Sequence, residues 1–231
     1  MRALKRVISI FLFISLLFSC YDFDIAVNSI LEQTYKYFEL LIMDDFSKDS
    51  TKEKLNKFSE KDNRIKIFTN NTNLGLTKSL NILIEKSLGI YIARQDADDY
   101  SLPDRLQTQV RILEKEDADA VVSRAKVIGT TKKIPGISFF IPKKILMKFK
   151  NPFIHGSLLI KKQVLNDLGN YNEKFIYSQD YKLFFDFLNS GYKIKNLNKV
   201  LYYLNMENNI STNYSLEQKY YADCVRKNLN P

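Results

Sequence analysis

The first hundred residues alternate four times between short apolar runs and segments with helical spacing of apolar residues. This alternation restricts the fold more than any other feature of the chain. The apolar runs are Val7–Phe18, Phe38–Met43, Arg64–Phe68 and Ile90–Arg94. Strands that alternate with helices predict βαβ units and a mostly parallel sheet. Right-handed crossovers then place the carboxyl ends of these strands at one edge of the sheet.

Two acidic clusters follow these predicted strands. Asp44 and Asp45 come directly after the second strand, and Asp96, Asp98 and Asp99 come after the fourth. Like charges this close resist ionisation unless a positive group lies among them. A divalent cation is the natural partner, because carboxylate oxygens are hard ligands. Both clusters are therefore expected at the same edge of the sheet, around a ligand; a solvated acidic turn is the alternative interpretation.

The N-terminal segment has two interpretations. Arg2, Lys5 and Arg6 precede the apolar run Val7–Phe18, and Cys20 follows it. This order of charges and apolar residues is typical of a secretory signal of the lipoprotein type. A buried first strand of a parallel sheet also reads as a continuous apolar run. We favour the strand, because the strands that follow need a first strand to pair with.

Charge is distributed unevenly along the 231 residues. The net charge of +9 favours an anionic partner. The segment 131–162 contains eight lysines and no acidic residue, interleaved with phenylalanine, isoleucine, leucine and methionine. It is either a solvated basic surface or a face that rests on an anionic membrane. We expect no nucleic-acid partner, because no recognised nucleic-acid-binding module accompanies the charge.

Six segments of the chain, taken in order, resemble the inverting family 2 glycosyltransferases, which have the GT-A fold. The resemblance covers about residues 7–205. The matching segments are Ser29–Tyr35, Leu41–Ser50, Asn73–Leu76, Tyr91–Asp99, Asn151–His155 and Ser178–Leu183.

The resemblance implies an α/β fold of the GT-A type, with a mostly parallel central sheet flanked by helices. A single domain would occupy residues 1–205. Its Rossmann-like, nucleotide-sugar-binding half would span about residues 7–123, and its acceptor-binding half about residues 124–205. Residues 206–231 are expected to form a polar C-terminal tail, with a helix near 215–228.

The resemblance also assigns roles to the acidic residues. Asp44 and Asp45 match the acidic pair that binds the base or ribose of a nucleotide-sugar. Asp96 and Asp98 match the metal-binding Asp-x-Asp, where Mn²⁺ or Mg²⁺ bridges to the diphosphate of the donor. Asp180 matches the general base that deprotonates the acceptor hydroxyl; a helix cap is the alternative role for this carboxylate.

Three further residues complete the predicted site. His155 matches a histidine found in part of the family and is expected near the acceptor or the metal; a packed core or surface histidine is the alternative. Lys78 and Arg94 are expected to reach a phosphate, from their charge and location alone.

The chain departs from the family pattern in two places. Ser15–Cys20 replaces the polar loop that usually follows the first strand, which weakens the prediction of donor binding. The Gln/Arg-x-x-Arg-Trp motif of processive members is absent, and this favours transfer of one sugar.

The expected protein is therefore a cytoplasmic enzyme, with peripheral contact at the inner face of the cell membrane as a further expectation. It would transfer a single sugar to a surface glycan or a lipid-linked acceptor. A non-catalytic relative that binds nucleotide-sugar or lipid-linked glycan is the alternative. A nucleotidyltransferase is disfavoured, because no Gly-rich phosphate loop follows the first strand.

Overall fold

The computed structural model describes residues 7–14, 20–206 and 214–231. Four parallel strands form the first half of its sheet, in the order β3-β2-β1-β4. Their pairing confirms the prediction of a parallel sheet built from βαβ units. The strands are β1 (Ile8–Ile14), β2 (Phe38–Asp44), β3 (Ile65–Thr69) and β4 (Tyr91–Asp96).

Strand β1 lies in the middle of this half, between β2 and β4. Its side chains alternate between the two large apolar clusters, so that Ile10 and Leu12 face one cluster while Phe11 and Phe13 face the other. Burial on both faces explains the continuous apolar run, and it confirms the strand interpretation. Residues 1–6 and the altered loop at 15–19 lie outside the described part of the chain.

Three helices connect these strands: α1 (Cys20–Leu31), α2 (Thr51–Lys61) and α3 (Leu76–Lys86). The helical spacing of apolar residues agrees with the faces that these helices bury. Leu88 lies two residues beyond the end of α3 and is 73% exposed. Gly89 next to it allows close packing on β1, since a Cβ there would lie 2.8 Å from the carbonyl carbon of Ile8.

The second half of the sheet is mixed. Strand β8 is antiparallel to both β4 and β6, while β6 and β9 are parallel and β5 and β7 form short antiparallel edges. The chain therefore extends the parallel half into one continuous sheet. The strands are β5 (Tyr100–Ser101), β6 (Ala120–Val127), β7 (Lys133–Ile134), β8 (Leu159–Lys161) and β9 (Ile194–Leu204).

Helices flank this half as well. They are α4 (Arg105–Lys115), α5 (Lys143–Leu146), α6 (Lys162–Asp167), α7 (Gln179–Asn189) and α8 (Ser215–Lys227). Helix α4 begins two residues after Pro103, because Tyr100 and Ser101 pair with β9 before the chain turns into the helix.

Helix α8 lies in the segment expected to be a polar tail. It packs against α7, and its residues Cys224 and Val225 are buried in the same apolar cluster as Phe184 and Phe187 of α7. The Ser178 hydroxyl, directly before α7, donates to the backbone oxygen of Gln218 at 3.2 Å. The C-terminal helix therefore supports the start of α7.

No helix in residues 7–14, 20–206 or 214–231 combines the length and the apolar character needed to cross a membrane.

Candidate active site

A cavity of about 720 Å³ opens at the carboxyl ends of β1, β2 and β4. This is the edge where open α/β sheets place their ligands. The described residues that line it include no lysine and no arginine. Five aspartates line it: Asp45, Asp96, Asp98, Asp99 and Asp180.

Asp96, at the end of β4, is held by an arginine behind it. The Arg94 guanidinium is only 3% exposed and donates to Asp96 Oδ1 at 2.5 Å. It also donates to the carbonyl oxygen of Phe11 on β1 at 3.3 Å. Arg94 therefore orients Asp96 and offsets its charge from the protein interior. Because Arg94 is buried, its position does not support the predicted contact with a phosphate. Lys78 is exposed on α3 and is not among the residues that line the cavity.

Asp99 differs from its two neighbours in the acidic cluster. Its side chain is buried, and Oδ1 accepts the backbone N–H of Asn205 at 2.8 Å. Burial raises the pKa of Asp99 well above its usual range, and the charges of Asp96 and Asp98 raise it further. Asp99 therefore takes up a proton more readily than an ordinary aspartate does.

A fully buried arginine fixes the backbone beneath this corner. Arg105 donates to Gln95 Oε1 at 3.1 Å, to Ser101 Oγ at 2.7 Å and to the carbonyl oxygen of Arg94 at 2.7 Å. Burial lowers the pKa of Arg105 to about 10, so that the guanidinium stays charged at neutral pH. It joins β4, β5 and α4, and thereby fixes the strand end that carries Asp96.

Tyr202 of β9 and the short 3-10 helix His155–Ser157 close the other side of the corner. The Tyr202 hydroxyl accepts the backbone N–H of Asp96 at 3.0 Å. Gly156 lies against both residues, since a Cβ at this position would lie 2.7 Å from Tyr202 Cζ and 2.8 Å from Asp96 Oδ2. The absence of a side chain at residue 156 therefore allows Asp96 its present position.

Gly156→Ala should destabilise the protein by about 1–3 kcal/mol, because an added methyl group overpacks this site. The same change should displace Asp96 and, if Asp96 holds the metal that the resemblance implies, weaken nucleotide binding in the presence of Mn²⁺. Thermal unfolding measures the first effect, and calorimetric titration of the folded variant measures the second. A variant with the unfolding midpoint and nucleotide affinity of the parent protein would contradict the close contact.

The acidic pair after β2 has two different environments. Asp44 is buried and accepts the backbone N–H of Ser47 at 3.0 Å, so that it fixes the turn after the strand. Asp45 lines the cavity and accepts the backbone N–H groups of Leu74 and Gly75, both at 2.8 Å. Asp45 therefore positions the loop that enters α3, at the cavity wall.

Asp180 lies at the start of α7 and faces the same cavity. Ser178 before the helix has a φ of 52°, a left-handed conformation that non-glycine residues rarely adopt. Asn151 Nδ2 donates to Asp180 Oδ2 at 2.7 Å. Desolvation by the surrounding protein raises the pKa of Asp180, and the charge of Asp96 adds to this effect, while the hydrogen bonds from Tyr181 and Asn151 oppose it.

His155 lies on the cavity wall, where its Nε2 shares a hydrogen bond of 2.7 Å with the Tyr171 hydroxyl. Burial lowers the pKa of His155 well below its usual range, and the charge of Arg94 lowers it further. The imidazole is therefore neutral at neutral pH. A neutral imidazole can accept a proton or bind a metal.

Asn151→Ala should move the acidic limb of the pH–rate profile to higher pH. The amide of Asn151 favours the ionised form of Asp180, so its removal raises the pKa of this carboxyl further. If Asp180 is the general base that the resemblance implies, its ionised form is then reached only at higher pH. The profile is measured as nucleotide released from a sugar donor, with the exposed Asn166→Ala on α6 as control. An unchanged acidic limb in Asn151→Ala would contradict this coupling.

Comparisons with known proteins assign the chain to a family. The model of "Glycosyl transferase family 2" matches residues 23–187. The chain belongs to this family. This confirms the predicted family, and the fold class is confirmed as well. Residues 23–187 contain every residue predicted for the site.

Several proteins with similar sequences are glycosyltransferases by name. The chain is 33% identical to WbnJ of Escherichia coli, an O-antigen biosynthesis glycosyltransferase. The aligned region covers 89% of this chain and 82% of WbnJ. The chain is also 33% identical over 77% of its length to EpsE of Bacillus subtilis, which is named a glycosyltransferase. The chain spans 66% of EpsE.

Solved structures share the fold at low sequence identity. The mannosyltransferase PcManGT of Pyrobaculum calidifontis, in complex with GDP-Man and Mn²⁺, has a TM-score of 0.77 and 16% identity, over 99% of this chain and 67% of that one. TarS of S. aureus, in complex with UDP-GlcNAc, has a TM-score of 0.74 and 18% identity, over 90% of this chain and 60% of that one.

Of the eight predicted site residues of this family 2 chain, five line the cavity and three do not. Asp44, Lys78 and Arg94 do not line the cavity. The residues that do line it are Asp45, Asp96, Asp98, His155 and Asp180.

Sequence reasoning did not identify the residues that hold these carboxylates in place. Asn151 lies in a segment that resembles the family, but nothing in the sequence linked this residue to Asp180. No sequence motif pointed to Arg105, Tyr202 or Asn205. Each of them contacts the segment 94–99 from a part of the chain that is distant in sequence.

The residues of this family 2 chain fit a divalent cation only in part. Asp96 and Asp98 supply hard oxygen ligands on the cavity wall, the donor type that Mn²⁺ and Mg²⁺ accept. In the part of the chain described, no group of three or more His, Cys, Asp or Glu side chains is arranged to hold a metal. The remaining ligands of a cation at this site would have to come from a bound molecule, such as a diphosphate.

Proposed function

We propose that the chain is a metal-dependent, inverting glycosyltransferase that moves a single sugar from a nucleotide diphosphate donor to a hydroxyl of a surface glycan. The observation that carries this proposal is the cavity lined by five aspartates with no lysine or arginine among its described residues. A donor diphosphate is an anion, and these carboxylates would repel it. Asp96 and Asp98 would hold a divalent cation, whose charge would offset this repulsion.

Different residues on and behind the cavity wall have different roles in the proposed binding of a donor. When bound, the cation neutralises the charge that develops on the leaving nucleotide. Asp96 and Asp98 hold it, Arg94 orients Asp96, and Asp45 positions the loop next to the nucleotide. The carboxyl ends of β2 and β4 are then the donor side of the cavity.

Asp180 is the proposed general base on the acceptor side. It would take the proton of the acceptor hydroxyl as that oxygen attacks the anomeric carbon, which inverts the configuration in one displacement. A base is most effective when its pKa lies near the working pH, and the raised pKa of Asp180 moves it in that direction. We place His155 near the acceptor or the metal, as a neutral group.

The acceptor class follows from the relatives. WbnJ acts in O-antigen biosynthesis. WfaP of Escherichia coli, 31% identical over 85% of this chain and 77% of that protein, is named for an acceptor that is α-D-GlcNAc-diphosphoundecaprenol. A surface glycan built on a lipid carrier is the acceptor class that these names support.

The proposal includes peripheral contact with an anionic membrane at the inner face of the cell membrane. Four large apolar side chains of segment 131–162 are more than half exposed, and Lys144 and Lys148 of the same segment are exposed as well. We refer to these six residues as the basic apolar face; its apolar members are Ile137, Phe140, Ile145 and Phe149. Leu146 and Met147 are buried in the core instead.

Vesicles that contain phosphatidylglycerol should retain the protein, and salt should release it, because screening weakens the attraction between exposed charges. Lys144→Gln/Lys148→Gln should bind less. Lys143 is not a suitable target, since its ammonium donates to the backbone oxygens of Phe139 and Ile141. Failure of the parent protein to bind such vesicles at low salt would remove the membrane contact from the proposal.

Calorimetric titration with UDP, GDP and their sugars, each with and without Mn²⁺, tests the proposed activity at its first step. We expect one nucleotide to bind and its affinity to depend on Mn²⁺. Binding of that nucleotide also identifies the base of the donor. If no nucleotide binds under either condition, the glycosyltransferase proposal fails.

A further inference from the structure

A second cavity, of about 380 Å³, lies beside the aspartate-lined one. Its volume falls in the range of small-ligand sites. Three lysines line it: Lys132, Lys133 and Lys150. All three are exposed. We refer to it as the lysine cavity.

The lysine cavity concentrates positive charge without a neutralising carboxylate. Segment 131–162 contains no acidic residue. Among the described residues, no ion pair involves Lys132, Lys133 or Lys150, whereas lysines elsewhere on the sheet pair with aspartates, as Lys161 does with Asp119 at 2.9 Å. Three ammonium groups around one cavity repel one another, and a bound anion relieves this repulsion.

The lysine cavity adjoins the proposed base. Ile134, Asn151 and Ile154 line both cavities. The Asn151 amide donates to Asp180 at 2.7 Å, so that one residue contacts the base on one side and borders the lysine cavity on the other. A molecule with a hydroxyl at Asp180 would therefore have to pass only these three residues to reach the lysine cavity.

Apolar surface continues outward from the lysine cavity. Gly136 and Ser138 line it, and Ile137 between them is 88% exposed. Phe149, directly before Lys150, is 68% exposed. An anionic group in the lysine cavity would thus have sugar on one side, toward Asp180, and the basic apolar face on the other.

We propose that the lysine cavity binds the diphosphate of the acceptor, in a glycosyl diphosphate ester that carries an apolar chain. This inference rests on the proposed function, because it takes Asp180 as the base that activates the sugar hydroxyl. The order sugar, diphosphate and apolar chain matches the order of base, lysines and exposed apolar residues along the surface. The lysines position the acceptor by its charge and take no part in the transfer itself.

The test measures acceptor affinity in the absence of donor. The probe is the α-diphosphate ester that joins GlcNAc to a ten-carbon alcohol, titrated by calorimetry. The matching ten-carbon glycoside of GlcNAc without the diphosphate is the control ligand. The test variant is Lys132→Gln/Lys133→Gln/Lys150→Gln. The control variant, Lys52→Gln/Lys57→Gln/Lys61→Gln, removes the same number of charges from exposed positions on α2.

We expect the diphosphate ester to bind the parent and the α2 variant equally, and to bind the lysine-cavity variant roughly tenfold more weakly or worse, because charge-assisted hydrogen bonds to phosphate are lost. The plain glycoside should bind all three proteins alike. Equal ester affinity in the two triple variants would overturn the proposal. So would a parent protein that binds the ester no better than the glycoside.

Two further measurements separate the causes of a failure. Mn²⁺-dependent nucleotide binding should be the same in all three proteins. Its absence from the parent refutes the proposed function, whereas its presence together with equal ester affinities refutes the lysine cavity alone. If the lysine-cavity variant loses binding only to phosphatidylglycerol vesicles and keeps its ester affinity, the lysines contact the bilayer and the acceptor assignment is wrong.

Discussion

Asp180→Asn should lower the rate of sugar transfer by about 10²–10⁴-fold, the usual contribution of a general base, while Mn²⁺-dependent nucleotide affinity stays nearly unchanged. The amide is close in shape to the carboxylate, but it cannot take a proton from the acceptor hydroxyl. Asp180 lies on α7, whereas Asp96 lies at the end of β4, so the substitution leaves the proposed metal-binding carboxylates in place. The rate is measured as nucleotide released from the sugar donor in the presence of acceptor.

The pH dependence distinguishes a base from a helix cap at Asp180. Burial raises its pKa, so the rate of the parent protein should fall as the pH drops through this raised value, at a higher pH than for an ordinary aspartate. The acidic limb should disappear in Asp180→Asn. Asp186→Asn, on the same helix, is the matched control, because it removes a carboxylate that pairs with Lys182 near the surface. Full activity of Asp180→Asn would leave Asp180 only a capping role.

The parallel half of the fold could be predicted from the sequence, because buried strands and helices there have recognisable patterns of apolar residues. Strand β1 is apolar on both faces, and α1 and α3 repeat their apolar residues at helical spacing. Once the strands are parallel, the corners at Asp45 and Asp96 must share an edge. These inferences depend on local patterns and on one rule of topology, and the structure confirms the pairing that they require.

The second half could not be predicted to the same degree. Strand β8 has three residues, and its antiparallel place between β4 and β6 depends on its partners rather than on its own sequence. The burial of individual polar residues could not be predicted from the sequence either. Arg94 looks like any exposed cation in the sequence, yet it is buried against Asp96, because the 3-10 helix at His155 and strand β9 cover that corner.

The same limit applies to the site. Aspartates at strand ends can be recognised from their spacing, but the groups that set their protonation cannot. Asp99 differs from Asp98 only in structure, where burial raises its pKa and the backbone of Asn205 holds it. Asn151 is tied to Asp180 by a contact between separate segments. Charge and hydrogen bonding at a site are properties of the folded chain, whereas motif spacing is a property of the sequence.

Asp98→Ala should remove the Mn²⁺-dependent part of nucleotide affinity. Asp99 is buried and Asp96 is paired with Arg94, whereas Asp98 lines the cavity, so we expect the Asp98 carboxylate to supply much of the attraction for a cation. Without it, the donor diphosphate meets the remaining carboxylates with a weakly held cation or none. We expect nucleotide affinity in Mn²⁺ to fall by at least about tenfold, which corresponds to about 1.4 kcal/mol.

The decisive comparison is the ratio of nucleotide affinities with and without Mn²⁺. In the parent protein this ratio should be large, and in Asp98→Ala it should approach one. Asp117→Ala, which removes an exposed carboxylate paired with Lys193, should keep the ratio of the parent. A ratio in Asp98→Ala equal to that of the parent would exclude Asp98 as a metal ligand. The cation that a large ratio requires would then be held without the Asp98 carboxylate, and the assignment of Asp96 and Asp98 as a metal-binding pair would be wrong.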